Sequence, residues 1–488
     1  MSEIEIIIAI KFGTNYSTNA YMINDGRTED PKLFTVPFQK HATSSMSLIT
    51  PTVALFTENG VFQSYGFDAE YQNLQQGDKN KYLLFRDFVW DLFCVNDEVP
   101  KNLKAVNEKE MKSIDVMSAV LSYMDGHVKV MAGKHSIDVS TKYVLTVPTC
   151  SCNDSRGFML EAAEHAGFPS DKITIVEEAA AALYFCIQNP VLTGLPRPTA
   201  NQDKAYVFVE CEDDNTNISV LKCPSEESIN IIYRDNAEIW ATCQVQKDFE
   251  ELFALIVSES FLNYFLQKYP MEYYDIIQEL KKKINSTPSD TQRVTMKMPA
   301  FLMEKFRKKT GKSIEKAVRK TILENNIEFK LDKCKISPDV FQSLFSDAGK
   351  HIVEYMEKEL LTKYPDVDYL ILIGEFAQSP ILQNIIKESF PSKTILIPPE
   401  AGLAAVKGAV LFGQKHVYLE TVQCPRRSRT PDPEDTGQLE EVVQSPRSYR
   451  AGKNDVTNLS ATNELFSDLQ RVVPPSEKRN RSRLCVIQ

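Results

Sequence analysis

The residues with the clearest chemistry stand early in the chain, where an apolar run ends in a short polar turn. Residues 6–10 are all Ile or Ala, which predicts a strand buried on both faces. The turn that follows contains Gly13, Thr14 and Asn15, with Ser17 just beyond. Backbone N–H groups and small hydroxyls at such a turn can cradle a phosphate, because each N–H is a fixed partial positive charge. The sequence therefore predicts an anion-binding turn here.

Two further turns follow predicted strands later in the chain. One contains Glu212, Asp213 and Asp214 after the strand predicted over 205–210, and the other begins at Gly374 after the strand over 369–373. Ligands in α/β folds sit at the carboxyl ends of strands, so these turns and the Gly13 turn are expected to line one cleft.

The elements that must position these turns follow the same order in each half of the chain. Strands come first, and strands alternating with helices come next, which indicates an α/β fold of two lobes with a cleft between them. We predict lobe I over 1–200, completed by a final helix over 400–416, and lobe II over 201–399. Residues 417–488 are poor in apolar side chains and are predicted to be a disordered tail.

The composition of the chain argues against several classes of function. The 488 residues carry a net charge of −10, which argues against non-specific nucleic-acid binding. The ten cysteines show no zinc-ligand spacing, so we expect no metal site and reduced thiols, as in a cytosolic protein. No apolar run approaches the ~20 residues of a membrane helix. The basic region 301–324 is predicted to be a solvated helical face, with a partner-binding surface as the alternative.

Several segments together resemble the heat shock 70 kDa family, specifically its divergent branch of proteins 12A and 12B. The resemblance covers roughly residues 4–413, and the segments that carry it are the Gly13-Thr14 turn with Ser17, Thr146-Val147-Pro148, Asn153–Arg156, Glu161–Gly167, Gly311–Glu315, Ile336–Asp339 and Gly402–Gly413. It implies a two-lobed actin-like ATPase (ribonuclease-H-like) fold with a central cleft that holds Mg-ATP.

The positions that would bind Mg-ATP depart from the family pattern. Lys11 stands where the family has a metal-organising aspartate, and an ammonium group has no lone pair for a metal. Three carboxylates, at 212–214, replace the glycines of the second phosphate loop, and Glu375 replaces a glycine of the adenosine motif. Glu177 matches a family acidic residue, although the family's catalytic lysine has no counterpart near Val89 or Asp91.

Two interpretations of the cleft follow from these departures. In the first, no cofactor binds and Lys11 pairs with Glu212, Asp213 or Asp214 in place of the phosphate and metal. In the alternative, Mg-ATP still binds and the protein is an ATPase or chaperone with an atypical site. A metabolite kinase is a third class that would need the same loops.

The last four residues, Cys485-Val486-Ile487-Gln488, match the Cys-aliphatic-aliphatic-X prenylation signal, and Gln in the final place favours farnesyl. Basic residues just upstream could supply the second membrane-binding signal. They are Lys478, Arg479, Arg481 and Arg483. Thr430 and Ser445, each before a proline, are possible phosphorylation sites. We therefore expect a non-catalytic protein that binds protein partners and attaches peripherally to the cytosolic face of a membrane.

Overall fold

The computed structural model describes residues 4–24, 31–40, 46–75, 81–94, 98–133, 140–149, 151, 154–198, 204–237, 241–290, 292–415 and 417–421. These residues divide into two compact units. The first contains the described residues up to Gln244 and from Ala348 onward, and the second is Val245–Asp347. Both central sheets belong to the first unit. The predicted lobe boundary at residue 200 instead places one sheet in each lobe. The lobe boundaries stay a prediction.

The first unit begins with most of its strands and six helices. The strands are β1 (Glu5–Phe12), β2 (Tyr16–Asn24), β3 (Leu33–Thr35), β4 (Phe38–Gln39), β5 (Met46–Ser47), β6 (Thr50–Pro51), β7 (Val53–Thr57), β8 (Phe62–Tyr65), β9 (Tyr82–Arg86), β10 (Asn102–Lys104), β11 (Glu110–Lys112), β12 (Ser140–Val147), β13 (Ile173–Glu177), β14 (Ala205–Cys211), β15 (Thr216–Ser225) and β16 (Ser228–Ala237). The helices are α1 (Phe67–Gln75), α2 (Phe88–Phe93), α3 (Ser113–Met131), α4 (Ser155–His165), α5 (Glu178–Gln188) and α6 (Pro190–Thr193).

The rest of the chain adds the second unit and then returns to the first. The elements from residue 242 to residue 355 are α7 (Thr242–Val257), α8 (Glu259–Lys268), α9 (Pro270–Ser286), β17 (Val294–Lys297), α10 (Ala300–Thr310), α11 (Ile314–Val318), β18 (Ile327–Lys330), β19 (Lys333–Ile336), α12 (Pro338–Ser343) and α13 (Ser346–Tyr355). After a π-helical turn at Met356–Leu361, the elements are β20 (Tyr369–Ile373), α14 (Pro380–Ser389), β21 (Thr394–Leu396), α15 (Ala404–Gln414) and β22 (Tyr418–Thr421).

The two central sheets share one five-strand topology, to which β6 is added in the first sheet and β22 in the second. In one the strand order is β13-β12-β1-β2-β3, and in the other it is β21-β20-β14-β15-β16-β22. Each starts with an antiparallel meander, and two parallel strands then extend it beside the meander's first strand. This duplicated arrangement confirms the predicted mixed α/β class and is consistent with the actin-like ATPase fold.

Helices α5 and α15 pack against each other and share one core with residues of both sheets. Residues 178–187 of α5 are all buried, and the alanines among them permit a close approach. A Cβ atom on Gly408 of α15 would lie 1.8 Å from the carbonyl oxygen of Ala181, so only glycine fits at that crossing. This shared core brings the turns after β1, β14 and β20 to one place.

The ordered chain extends beyond the predicted boundary of residue 417. Strand β22 pairs in parallel with β16, and its neighbour Val417 and its own Leu419 pack on the core shared by the two sheets. Partial burial of these two apolar side chains and pairing with a sheet edge explain why this short segment forms a strand. The remainder of the predicted tail, residues 422–488, lies outside the described residues.

Among the cysteines that the structure describes, all but one follow the predicted reduced state. Cys186, Cys211, Cys223, Cys243 and Cys334 carry free thiols. Cys94 is disulfide-bonded. The prediction was therefore wrong for Cys94; the spacing of cysteines along a chain does not show which ones meet in the fold.

Candidate functional site

Three turns meet at the carboxyl ends of the central strands, as the sequence predicts. Gly13 follows β1, Glu212 follows β14 and Gly374 follows β20. Gly374 has a φ of +95°, and a Cβ atom there would lie 2.3 Å from the carbonyl oxygen of Cys211. This glycine therefore lets the β20 turn lie directly on the end of β14.

Lys11 lies at the centre of this site and is almost fully buried. Its Nζ is 3.2 Å from Glu178 Oε2 and 3.1 Å from Glu212 Oε1, and the side chains of Lys11, Glu178 and Glu212 are 4%, 5% and 11% exposed. Burial alone would lower the pKa of Lys11, but the charges of the two carboxylates and their hydrogen bonds raise it. Lys11 is therefore an ammonium ion locked between two acidic side chains.

The predicted pairing of Lys11 is confirmed for Glu212, which lies in the second turn. Glu178, the first residue of α5, is a partner that the sequence did not reveal. Asp213 is buried in the same turn, while Asp214 contacts the first turn instead. Lys11 thus connects β1 to α5 and to the end of β14, which belong to different parts of the chain.

Asp214 holds the polar side chains of the first turn. Thr14 Oγ1 donates to Asp214 Oδ1 at 3.1 Å, and Asn215 Nδ2 donates to Thr14 Oγ1 at 3.3 Å. With its nitrogen facing Asp214, the amide of Asn15 donates to both carboxylate oxygens, at 2.7 and 2.9 Å. Burial and the nearby charges of Asp87 and Asp213 raise the pKa of Asp214 to about 8. The residues predicted to bind phosphate therefore bind this carboxyl group.

Glu210 is a further buried acid, which belongs to the stretch that corresponds to the family's second phosphate loop but was not among the predicted site residues. It is 1% exposed, and it accepts hydrogen bonds from Thr149 Oγ1 at 2.6 Å and from Asn217 Nδ2 at 3.3 Å. Burial, followed by the charge of Glu178, raises the pKa of Glu210. Burial also raises the pKa of Glu178, although Lys11 opposes the shift. The site therefore contains more carboxyl groups than the charge of Lys11 can balance.

Backbone donors at the three turns are used within the chain. The N–H of Gly13 donates to the carbonyl of Tyr16 at 3.1 Å, that of Glu212 to Asn215 at 3.0 Å, and that of Gly374 to Ala401 at 3.2 Å. A phosphate-binding turn directs such groups at its ligand. The N–H groups of Gly13 and Glu212 instead close their own turns, and that of Gly374 joins its turn to the segment before α15.

Two remaining predicted positions lie at the margin of the site. Glu177, 3% exposed, lies 3.2 Å from a guanidinium nitrogen of Arg156 and 3.9 Å from one of Arg234. Glu375 Oε2 accepts a hydrogen bond from Gln378 Nε2 at 2.6 Å. Both acidic side chains are therefore held by partners of the chain itself.

The two positions aligned with the family's catalytic lysine, Val89 and Asp91, both lie in α2. Val89 is fully buried. Asp87, just before α2, is the residue whose charge acts on Asp214. Its left-handed backbone, with φ of +58°, is a local feature that the sequence pattern did not signal. Among the described residues, no group of three His, Cys, Asp or Glu side chains is arranged to hold a metal ion.

The modification sites predicted in the tail, Cys485, Thr430 and Ser445, lie outside the described residues. Within the described part of the chain, no helix combines the length and the apolar character needed to cross a membrane.

Comparison with known proteins finds relatives that match 84–86% of this chain. No family profile matches the chain. Heat shock 70 kDa protein 12A of Mus musculus is 25% identical over 86% of this chain and 71% of its own length. The chain is a divergent relative of heat shock 70 kDa proteins 12A and 12B. The human 12A protein is 24% identical over the same shares, and human 12B is 23% identical over 84% of this chain and 68% of its own length.

Proposed function

We propose that this 12A-like chain is a pseudo-ATPase, a non-catalytic interaction protein whose nucleotide site is closed by its own side chains. The observation that carries the proposal is the buried ammonium of Lys11 between Glu178 and Glu212, at 3.2 and 3.1 Å. In this arrangement a fixed internal ion pair occupies the place where the fold family holds a metal and phosphates.

The residues present do not fit Mg-ATP. Lys11 offers no oxygen to a metal ion and repels a cation by its charge. Mg-ATP would have to separate Lys11 from Glu178 and Glu212, and removing one partner of a buried ion pair costs about 3–5 kcal/mol. The phosphates would also meet the carboxylate of Glu212, and two like charges ~4 Å apart repel by on the order of 4 kcal/mol at a partly buried site. Together these costs are of the same size as the affinity of a typical nucleotide complex, which is about 8 kcal/mol at micromolar Kd.

A working ATPase or chaperone with an atypical site is the alternative. The glycine turns at Gly13 and Gly374 are retained, and Glu177 matches a family acidic residue. Close packing alone also requires these glycines. A methyl group on Gly13, for example, would lie 2.7 Å from the carbonyl oxygen of Tyr16. They therefore serve the fold whether or not nucleotide binds.

Thermal unfolding of the full chain, with and without millimolar Mg-ATP or Mg-ADP, separates the two functions. A ligand at about 100 times its Kd raises the free energy of unfolding by about 2.7 kcal/mol, a shift that is readily seen. We expect no shift. A clear upward shift with either nucleotide would overturn the pseudo-ATPase and lead to hydrolysis assays.

The second part of the proposal concerns attachment to a membrane. The Cys485–Gln488 signal with its upstream basic residues supports farnesylation and peripheral attachment at the cytosolic face of a membrane. We expect farnesyltransferase to label the full chain with a radioactive prenyl donor and to leave Cys485→Ser unlabelled. Equal labelling of the two proteins, or no labelling of either, would contradict this part. Neither result bears on the closed nucleotide site.

A further inference from the structure

The second unit presents a strongly basic surface in an otherwise acidic protein. Residues 300–333 contain ten Lys and Arg but five Asp and Glu, while the whole chain has a net charge of −10. Most of these cations lie on α10, on or just after α11, and beside the β18–β19 turn, and we call these three elements the basic surface. They are contiguous, because α10 packs against α11 and α11 packs against β18.

Aromatic rings lie among these lysines. Lys309 Nζ is 3.5 Å from the centre of the Tyr264 ring, and Lys305 Nζ is 4.3 Å from the centre of the Phe301 ring. Tyr269 packs edge-on against Phe301, with 4.8 Å between the ring centres. These rings are only half-buried, and half-exposed tyrosines beside lysines suit the boundary between water and lipid.

The β18–β19 turn adds a protruding apolar side chain. Leu331 is 80% exposed; Lys330 precedes it, and Asp332 and Lys333 follow it. Its φ is +55°, in the left-handed region that costs a leucine roughly 1–2 kcal/mol. Met298, which precedes α10, donates its N–H to the carbonyl of Asp332 at 2.7 Å, so the turn lies at the start of that helix.

Neither burial nor backbone preference explains a leucine at the tip of this turn. Residues held in strained conformations are frequent at binding sites. We propose that the basic surface binds an anionic lipid membrane, with the lysines at the headgroups and Leu331 inserted beyond them. A protein partner is less suited, because a convex tip with one leucine offers no pocket for the buried anchors of a protein interface.

This inference goes beyond the proposed function and does not require the prenyl group. The test uses the unprenylated full chain and sedimentation with phosphatidylcholine vesicles, with or without phosphatidylserine. We expect binding only to the vesicles with phosphatidylserine, and release by salt. The triple variant Lys308→Gln, Lys312→Gln and Lys316→Gln should bind roughly a hundredfold more weakly, at about fivefold per charge near an anionic surface.

A matched control removes three exposed lysines of the first unit. Lys101→Gln, Lys104→Gln and Lys112→Gln gives the same net charge, and we expect it to change binding by less than about threefold, because these lysines are not part of the basic surface and act only through the net charge. Equal loss in both triple variants would overturn the proposal, as would unchanged binding of the first. If the wild type binds polyglutamate but not vesicles, and the first triple variant does not bind polyglutamate, the basic surface would instead be assigned to binding an acidic protein.

Leu331→Asn separates membrane insertion from folding. Asparagine tolerates the left-handed region better than leucine, so this variant should unfold at a higher temperature than the wild type. We expect it to bind phosphatidylserine vesicles about tenfold more weakly, because less apolar surface enters the lipid. A stable variant that binds as tightly as the wild type would contradict insertion of this turn.

Discussion

Replacing Lys11 by methionine tests the closed site at its centre. Lys11→Met keeps most of the side-chain volume but removes the ammonium that lies 3.2 and 3.1 Å from Glu178 and Glu212. Two buried carboxyl groups then lose their cation. Removing one partner of a buried ion pair costs about 3–5 kcal/mol, because the remaining charge stays buried without compensation. Lys11→Asp, which adds another carboxylate, should be more destabilising still.

The assay is thermal unfolding followed by circular dichroism at neutral pH. At roughly 2 °C per kcal/mol for a domain of this size, Lys11→Met should lower the Tm by roughly 6–10 °C. Lys109→Met is the matched control. Its pair with Glu58 is 2.6 Å long, but its side chain is 40% exposed and that of Glu58 is 59% exposed. Such an exposed pair contributes at most about 1 kcal/mol, so the control Tm should fall by no more than ~2 °C.

A variant that also neutralises the two carboxyl groups shows why Lys11→Met loses stability. Adding Glu178→Gln and Glu212→Gln to Lys11→Met removes the two uncompensated charges and should restore a large part of the Tm. An unchanged Tm in Lys11→Met would refute the reasoning, since a buried ion pair cannot lose its cation without cost. Failure of the triple variant to recover would assign the loss to packing instead of charge.

Two further predictions concern the pH dependence of stability and the close contact of the β20 turn with the end of β14. Burial raises the pKa of Asp214 and Glu210 to about 8, above their unfolded values, so the folded state binds more protons between about pH 5 and 8. Stability in urea should therefore rise as pH falls through that window, by up to about 1.4 kcal/mol per pH unit and group, and Asp214→Asn should reduce the slope. A wild-type stability that increases from pH 5 to 8 would contradict this. Gly374→Ala should lower stability by more than ~3 kcal/mol in the same assay, because its methyl group meets Cys211, whereas Gly167→Ala, with φ of +89° and open space, should cost only about 1–2 kcal/mol. Equal losses in the two glycine variants would contradict the close approach.

The sequence predicts the turns of the site better than their side-chain partners. Apolar runs before Gly13 and Gly374 identify buried strands, and the rule that ligands sit at strand ends brings the turns together. The pairing of Lys11 with Glu212 also follows from charge, because each replaces a family residue of a different kind. These predictions succeed because parallel strands bring their carboxyl ends to one edge of the sheet and because a buried charge needs a partner of opposite charge.

The partners that were missed depend on tertiary packing. Glu178 stands in the first turn of α5, where an acidic residue ordinarily complements the helix dipole, so its contact with Lys11 has no local signal. Glu210 belongs to an apolar strand and becomes a site residue only because Thr149 and Asn217 lie beside it. Strand β22 was missed for another reason: Tyr418–Thr421 was included in the predicted tail, although Val417 and Leu419 alternate with other residues as in a strand, and the segment pairs with the edge of β16.

Calorimetric titration of Mg-ATP into the full chain tests the central claim most directly. The wild type, with Lys11 paired to Glu178 and Glu212, should show no saturable heat at millimolar nucleotide. A variant with the family residues restored, Lys11→Asp with Glu212→Gly, Asp213→Gly and Asp214→Gly, is the matched comparison, and any binding it gains would locate the block in these side chains. Saturable one-to-one binding of Mg-ATP to the wild type would contradict the closed site.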